Sequence, residues 1–332
     1  MSPEFRVGER QAVPSTEDAA RAERVVGTPP NKDVSHRLPP LTVAPEPAGR
    51  DYGPRPWLEF IVDLAGATPC SRCSLLSVLS EQALADLGGP ELYGRPVGEE
   101  AWTFVRAAEV PDRFDELALG WNLAPRMGDP PDARELRRHK EHLSRLLRPL
   151  GRKPRPRETT EQAEERGAEL IRLRDNWDVG VALVLRAPWL RRYDTRELWD
   201  AAYALGMKWG HLELFHWHNR PGLPGDAHLF SLWSVEEPGT FAPERVAAGM
   251  TVPEVALGFS VPRSPDPVGV FDRMVAAGRY FQTRLGGKLL VGQVAIASER
   301  TLHLWRGRVH TAASELTAAG FPPGSSKAMQ LF

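Results

Sequence analysis

The stretch 206–263 decides the fold. It contains GMKWGHLELFHWHN (206–219), HLFSLWSVEEPGTFAP (228–243) and VALGFSVPR (255–263). These segments are rich in the aromatic and β-branched residues that favour strands, and breaks with proline and glycine separate them. None of them carries a recognisable catalytic motif. The stretch therefore predicts a sheet that binds something, not a reaction centre.

Length, charge and cysteine content set the outer bounds. The chain has 332 residues, a formal net charge of -1 at pH 7 and two cysteines. This length accommodates two ordinary hydrophobic cores. The low net charge creates no overall field that would attract nucleic acid or membranes, and two cysteines exclude a disulfide framework. We expect a cytoplasmic protein without a transmembrane helix or a secretory signal.

The first part of the chain, residues 1–56, predicts a disordered, proline-rich tail. Ten of the 31 prolines fall there, and its charged residues alternate without helical periodicity. Such a segment buries too little apolar area to offset the conformational entropy lost on ordering. The tail is either a tether that contacts partners or a dispensable extension.

An internal repeat organises the rest of the chain. ELALGWNLAPR (116–126) echoes EVALGFSVPR (254–263), and each follows a strand-like and a helix-like segment in the same order. Such a repeat indicates two related domains. We predict an abbreviated domain over 57–150, a basic and charged linker with a helix over 151–176, and a complete domain over 177–332.

The complete domain predicts an antiparallel sheet. Its segments follow the order β-α-β-β-β-α-β-β-α, with apolar residues at helical spacing in the two long helical stretches. This order is typical of an α+β fold, a split β-α-β antiparallel sheet with helices on one face. The repeat predicts two tandem copies of this fold.

Alternation within the predicted strands separates the two faces of the sheet. Ala256 and Gly258 form a floor of small residues, whereas the large residues of the same strand must meet the helices. Trp233 shares the face of this floor, so its indole is expected over Gly258. The same face contains Leu229, Ser231 and Val235. It is either an apolar binding groove or a surface that the other domain or a second chain covers.

These residues carry a resemblance to a known family. GMKWGHLELFHWH (206–218), LFSLWSVEEPGTFAP (229–243) and VALGFSVP (255–262) resemble the C-terminal domain of the cell-division protein ZipA, which has H-x-H in register with P-G-T-F-x-P. The resemblance covers residues 179–319. It implies a non-enzymatic adaptor of bacterial cell division whose open sheet face binds the C-terminal peptide of FtsZ, with recruitment to the division site.

The resemblance also implies which residues line the groove. By position these are Leu212, Trp233, Val235, Ala256 and Gly258, and the first strand contributes Val181 and Leu183. Three residues depart from the family pattern: Gly258 replaces an aromatic residue, Trp233 a small one and Glu237 a basic one. We therefore expect a different peptide preference. The N-terminal membrane span of the family is not expected in this chain.

Other constellations predict no cofactor, no metal and no small-molecule substrate. His216 and His218 are two apart on a strand, but no third and fourth zinc ligand follows at the usual spacing. Cys70 and Cys73 form a lone C-x-x-C motif. Nucleotide-binding and hydrolase motifs are absent from the sequence, so we expect no enzymatic activity.

A basic segment, residues 134–157, leaves a second function open. It holds ten lysines and arginines against Glu135 and Glu141. It is either a solvated helix face with a linker or a weak contact for anionic lipid. Combined with the sheet face, it would also suit a nucleic-acid-binding protein. Because the strands show a single outward aromatic, we favour the peptide adaptor.

Overall fold

The structure, a computed structural model, describes residues 16–27, 36–42, 52–218, 228–292, 294–296 and 299–332. The chain forms two units, each with its own sheet. The middle unit spans Glu46–Asn176, and the terminal unit combines Met1–Pro45 with Trp177–Gln330. Within the described ranges, no helix has both the length and the apolar character needed to cross a membrane.

Helix α1 (Thr16–Val26) is the first element. The middle unit contains strands β1 (Glu59–Ala65), β2 (Cys70–Ser71), β3 (Glu91–Pro96), β4 (Thr103–Phe104), β5 (Arg113–Asn122) and β6 (Lys153–Pro156), and helices α2 (Arg72–Val78), α3 (Glu81–Asp86), α4 (Ala133–Leu146) and α5 (Thr160–Trp177). The terminal unit continues with strands β7 (Gly180–Arg186), β8 (Tyr193–Asp194), β9 (Lys208–Trp209), β10 (Phe215–His218), β11 (His228–Ser234), β12 (Thr251–Val252), β13 (Glu254–Ser260), β14 (Lys288–Val291) and β15 (Val294–Ala295). Its remaining helices are α6 (Thr195–Ala204), α7 (Pro243–Ala247), α8 (Pro267–Leu285), α9 (Glu299–Ala318) and α10 (Ser326–Leu331).

The two large sheets share an order of four strands. The middle sheet runs β4-β3-β5-β1-β6, with β2 also paired to β5, and the terminal sheet runs β15-β14-β7-β13-β11-β10-β9. The order β3-β5-β1-β6 thus corresponds to β11-β13-β7-β14. All pairings in the described ranges are antiparallel, which confirms the α+β class. That the two units are copies of one ancestral domain stays a prediction.

The core of the terminal unit lies where the sheet meets α8. Leu183 of β7 and its cross-strand partner Leu257 are 0% and 2% exposed, and Met274 of α8 is 0% exposed. A Cβ atom built on Gly278 of α8 would lie 3.0 Å from Cδ1 of Leu289, so a glycine here lets the helix approach the strands closely. Each such buried side chain contributes about 1.5–3 kcal/mol.

Part of the predicted N-terminal tail is ordered on the terminal unit. Residues 16–27 and 36–42 belong to this unit, and most of the remaining tail lies outside the described residues. Ala22 and Val26, one turn apart on α1, are 2% and 4% exposed. The helix therefore has a narrow apolar face. The high proline and charge content of the tail predicts disorder and gives no indication of this apolar face.

Polar contacts also hold α1 in place. Arg21 Nη2 lies 2.8 Å from Glu244 Oε2 and 3.3 Å from Glu213 Oε1. Its guanidinium carbon lies 5.9 Å from the ring centroid of Trp209, within cation–π distance. Leu41, further along the same tail, is 6% exposed. The N-terminal segment is thus attached at several points of the terminal unit.

The predicted linker 151–176 is instead part of the middle unit. Strand β6 pairs with β1, and α5 buries Ala163 and Leu170. A Cβ atom built on Gly167 would lie 2.9 Å from the carbonyl oxygen of Leu123, so α5 packs tightly against the chain that follows β5. Only a narrow row of mostly small residues faces the core, and charged residues surround it. The helix that we expected in this stretch is α5, but it packs as part of the middle unit.

Candidate binding face

One side of the terminal sheet gathers small residues around an aromatic ring. Residues that pair directly across antiparallel strands point to the same side. Trp233 pairs with Ala256, Ser231 pairs with Gly258, and Gly258 pairs in turn with Ala182. We call this side the Trp233 face. By pairing and alternation it includes Ala182 and Val184 from β7, His216 from β10, Leu229, Ser231, Trp233 and Val235 from β11 and its end, Ala256 and Gly258 from β13, and Leu290 from β14.

The indole of Trp233 covers Gly258, as alternation along the strands predicts. A Cβ atom built on Gly258 would lie 2.7 Å from Cη2 of Trp233, so any side chain at this position would displace the ring. Trp233 is 8% exposed and forms part of the floor of the face. Val235, in the same row, is 48% exposed. The face therefore combines a packed apolar floor with an exposed apolar edge.

Val181 and Leu183 do not line this face, so the prediction for the first strand was wrong. They are 4% and 0% exposed and lie on the helix side of the sheet. There, Cδ1 of Leu183 is 3.5 Å from a Cβ atom built on Gly278 of α8. Ala182 holds the position opposite Gly258. A shift of one residue along a strand moves every side chain to the other face.

Leu212 lies at the edge of the sheet and not on a strand. It occupies the 3-10 turn His211–Glu213, with φ 55 and a side chain that is 54% exposed. The carbonyl oxygen of the preceding His211 lies 2.9 Å from Nε2 of His216, which belongs to β10. Leu212 is therefore an exposed apolar residue beside the strand that borders the Trp233 face.

His216 of β10 is a buried polar residue of this face, because it pairs directly with Ser231. Because a carbonyl only accepts, Nε2 donates to His211, and Nδ1 is left to accept from the Ser231 hydroxyl at 2.8 Å. Burial lowers the pKa of His216 to about 4. The ring is therefore neutral near pH 7 and satisfied at both nitrogens. This arrangement suits a structural role better than metal ligation.

Comparison with known proteins identifies the segment that carries the face. Residues 181–308 match the family model described as ZipA, C-terminal FtsZ-binding domain. These residues form a ZipA-like domain. The chain is 32% identical over 104 residues to the cell division protein ZipA of Ectopseudomonas mendocina. It is 29% identical over 113 residues to the ZipA protein of Shewanella loihica.

The similarity is confined to one part of each protein. The matched regions cover 31% and 34% of this chain, and 37% and 33% of the two relatives. The chain thus spans about a third of the length of these relatives. The helix α1 and the whole middle unit lie outside the matched residues 181–308.

In the ZipA-like domain the P-G-T-F-A-P segment is hydrogen-bonded to the edge of the sheet. Phe241 is 1% exposed, and its N–H donates to the Glu213 carbonyl at 2.8 Å. The carbonyl of Phe241 accepts from Nε1 of Trp209 at 3.0 Å. The motif therefore links the turn that carries Leu212 to strand β9.

Acidic side chains border the exposed end of the Trp233 face. Glu236 and Glu237 follow Val235 directly and are exposed. Glu236 pairs with Arg192, whereas Glu254 pairs with Arg186. Beyond these pairs, the rim of the ZipA-like domain near Val235 presents a carboxylate to solvent.

The middle unit fills its corresponding face with its own side chains. Tyr93 pairs with Ala118, and a Cβ atom built on Gly120 would lie 3.0 Å from Cε2 of Tyr93 and 2.7 Å from Oε2 of Glu59. The Tyr93 hydroxyl donates to Glu59 Oε1 at 2.6 Å, and Arg55 Nε donates to the same oxygen at 2.9 Å. Tyr93 and Glu59 are 0% and 1% exposed.

Phe104 packs against this aromatic, and Tyr52 packs against Phe104. The ring centroid of Phe104 lies 5.4 Å from that of Tyr93, and Tyr52 lies 5.7 Å from Phe104. Burial raises the pKa of Tyr93, and the Glu59 carboxylate raises it further, so the hydroxyl keeps its proton and remains a donor. The same aromatic-over-glycine packing occurs in both units, but the middle unit adds an ion pair above it.

The remaining candidate ligands do not assemble into a metal centre. Cys70 is buried at the start of β2 and Cys73 is exposed on α2, and both are free thiols. His218 is in β10, next to the ring of His216. Over the described part of the chain, no group of three or more His, Cys, Asp or Glu side chains is placed to hold a metal ion.

Proposed function

We propose that this chain is a non-enzymatic adaptor of bacterial cell division whose ZipA-like domain binds the C-terminal peptide of FtsZ on the Trp233 face. The family match over residues 181–308 supports the partner. The observation that carries the site is the packing of Trp233 on Gly258, which builds an apolar floor beside the exposed Val235. A short peptide can bury its apolar side chains on such a surface.

The terminal unit is the proposed receptor because the face of the middle unit is already filled. Tyr93 and Glu59 bond to each other above Gly120, and Arg55 completes the network. A peptide would have to break an ion pair with a buried carboxylate to reach this floor, which is strongly unfavourable. In the terminal sheet Trp233 stands at the place of Tyr93, and Gly180 of β7 stands at the place of Glu59, so a residue without a side chain replaces the carboxylate.

The negative charge at the rim of the Trp233 face favours peptides of one charge over another. Glu237 is an exposed carboxylate close to Val235, so it favours a peptide with a basic residue near its apolar anchors and disfavours an acidic one. Rim charges of this kind change association rate and salt dependence more than the affinity itself. Binding to FtsZ would bring the chain to the division site.

We also propose a weak contact between the basic segment 134–157 and anionic lipid. Leu136 and Leu143 of α4 are fully buried, which turns the basic side chains of the helix outward. Two of these are partly neutralised: Arg138 lies 3.3 Å from Glu135, and Arg137 lies 3.8 Å from an acidic residue of α5. The remaining charge gives only a salt-sensitive attraction.

A peptide titration of the full chain tests the function. We expect saturable, salt-tolerant binding of a labelled FtsZ C-terminal peptide, measured by fluorescence anisotropy. Val235→Asp should weaken it about ten-fold or more, because a carboxylate at the apolar edge must be desolvated. Val294→Asp is the matched control, since Val294 is a similarly exposed valine, at 55%, of the same sheet.

Other results would redirect the proposal. Equal losses in Val235→Asp and Val294→Asp, or no peptide binding by the wild type, would exclude the Trp233 face as the site. Binding of a single-stranded oligonucleotide in place of the peptide, with a steep loss on adding salt, would indicate a nucleic-acid-binding protein. The 8% exposure of Trp233 favours the peptide, because base stacking needs an accessible ring.

A further inference from the structure

The loop between β7 and β8 exposes two adjacent large apolar side chains. Trp189 is 89% and Leu190 91% exposed. Singly exposed apolar residues are common on protein surfaces and need no explanation. A tryptophan and a leucine side by side and almost fully in water are different, because neither contributes to the core. We call this pair the Trp189 tip.

The base of the loop holds the tip in a fixed position. The N–H of Ala187 donates to the Pro253 carbonyl at 2.9 Å, and the N–H of Arg191 donates to the Pro188 carbonyl at 2.9 Å. On the other side, Arg192 Nη2 donates to the Thr251 carbonyl at 2.8 Å. The two apolar side chains are therefore presented by an anchored turn and not by a loose segment.

The backbone of Leu190 is strained. Its φ is 61, in the left-handed region where a side chain with a Cβ atom is disfavoured and glycine is not. A leucine here keeps an unfavourable backbone and an unfavourably hydrated side chain at the same position. Backbone outliers of this kind concentrate at functional sites. The strain therefore supports a role for the exposed side chain itself.

Basic residues surround the tip. Arg186 leads into the loop and Arg191 follows it, while Lys288 pairs across the strands with Arg186. Arg186 forms an ion pair with Glu254, and Arg192 forms one with Glu236. In the part of the chain that the structure describes, neither Arg191 nor Lys288 forms an ion pair, so the tip carries net positive charge.

We propose that the Trp189 tip inserts into the headgroup region of an anionic phospholipid membrane. Tryptophan prefers this region because its ring is apolar and its N–H is polar. Arg191 and Lys288 would contact the lipid phosphates. Two side chains expose on the order of 400 Å², about half of what each partner buries in a standard protein interface. A convex tip of this size suits a bilayer better than a folded partner.

The test is co-sedimentation of the full chain with vesicles of phosphatidylcholine alone or mixed equally with phosphatidylglycerol. The wild type should bind the anionic vesicles and not the neutral ones. The double variant Trp189→Ser with Leu190→Ser should lower the partition coefficient about ten-fold or more, since both apolar anchors are lost. Met127→Ser, which removes a residue 78% exposed in the middle unit, should leave it within about two-fold.

Further outcomes would overturn the proposal. Equal vesicle binding by the wild type and the double variant would assign lipid binding to another site, such as the basic segment 134–157. No binding by the wild type would exclude the membrane. If the double variant instead changes the oligomeric state in light scattering, the tip is a contact between copies. The proposal does not depend on FtsZ: the double variant should bind the peptide normally, and a selective loss of peptide binding would place the tip in the peptide site.

Discussion

The ring of Trp233 occupies the space above Gly258, with Cη2 2.7 Å from the place of a Cβ atom on that glycine. The two residues are diagonal neighbours on antiparallel strands, since Trp233 pairs directly with Ala256. In the middle unit Tyr93 lies over Gly120 in the same diagonal relation. In both sheets an aromatic residue thus packs over a glycine of the neighbouring central strand.

Gly258→Ala should destabilise the ZipA-like domain. The added methyl group would overlap the indole, and overpacking of this kind costs about 1–3 kcal/mol. Urea denaturation followed by circular dichroism measures the loss. The control is Gly307→Ala in α9, where a Cβ atom meets nothing within 4 Å. It should stabilise by about 0.5–1 kcal/mol. Equal stability of Gly258→Ala and the wild type would mean that the ring does not rest on the glycine.

His216 should make the domain less stable in mild acid. Its pKa is about 4 in the folded state because of burial, against 6.5 when unfolded, so the unfolded chain binds more protons between these values. Stability is fully present above pH 6.5 and falls as pH drops towards 4, by up to about 1.4 kcal/mol per pH unit.

The variant His216→Gln isolates this contribution. Burial also lowers the pKa of His139 in the middle unit, so some dependence on pH will remain after the substitution. Unfolding free energies at pH 7.5 and pH 5 should differ less in His216→Gln than in the wild type. An unchanged difference would show that folding does not lower the pKa of His216.

Tyr93→Phe should weaken the middle unit. The hydroxyl donates to the buried Glu59 carboxylate at 2.6 Å, and its loss leaves a charged acceptor with one donor fewer. We expect a cost of about 1–3 kcal/mol in chemical denaturation. Tyr280→Phe, which removes only an exposed hydrogen bond to Arg284, should change stability by less than about 0.5 kcal/mol. Similar effects of both variants would contradict the proposed network.

Arg21→Ala should release α1 from the ZipA-like domain. This side chain contacts Glu213, Glu244 and the ring of Trp209. Limited proteolysis should then cut within residues 16–27 several times faster than in the wild type. Arg24→Ala changes another arginine of the same helix and should leave the rate unchanged. Identical cleavage of all three proteins would mean that α1 is held by its apolar side chains alone.

Alternation along β11 and β13 was sufficient to predict the Trp233 face. In β13 large residues alternate with small ones, Val255, Leu257 and Phe259 against Ala256 and Gly258, so only one choice places the large set against the helices. Both alternate sets of β11 mix large and small residues, and its Trp233 is the ring that can cover Gly258. The position of the Trp233 ring over Gly258 follows from that choice. Strand β7 offers no such contrast, because GVALVLR (180–186) is apolar on both faces. Pairing with β13 decides which residues of β7 face the helices. This explains why Val181 and Leu183 were predicted on the wrong side of the sheet.

Short-range patterns also missed how some segments pack. The composition of the N-terminal tail predicts disorder, yet Ala22 and Val26 find an apolar surface that lies about two hundred positions later in the chain, around α7. Helix α5 likewise buries its small residues against Leu123. In both cases the stabilising partner is distant in sequence, so no local window contains it.

The sequence by itself determined the α+β class, the ZipA-like motifs and the packing of Trp233 over Gly258. These features depend on periodicity and on residues close together within a strand. Only the tertiary structure decided that Ala182 and not Val181 faces Gly258, that Glu59 fills the face of the middle unit, and that Trp189 and Leu190 stay exposed. The physical reason is that exposure and strand register depend on contacts between distant segments, which local pattern does not contain.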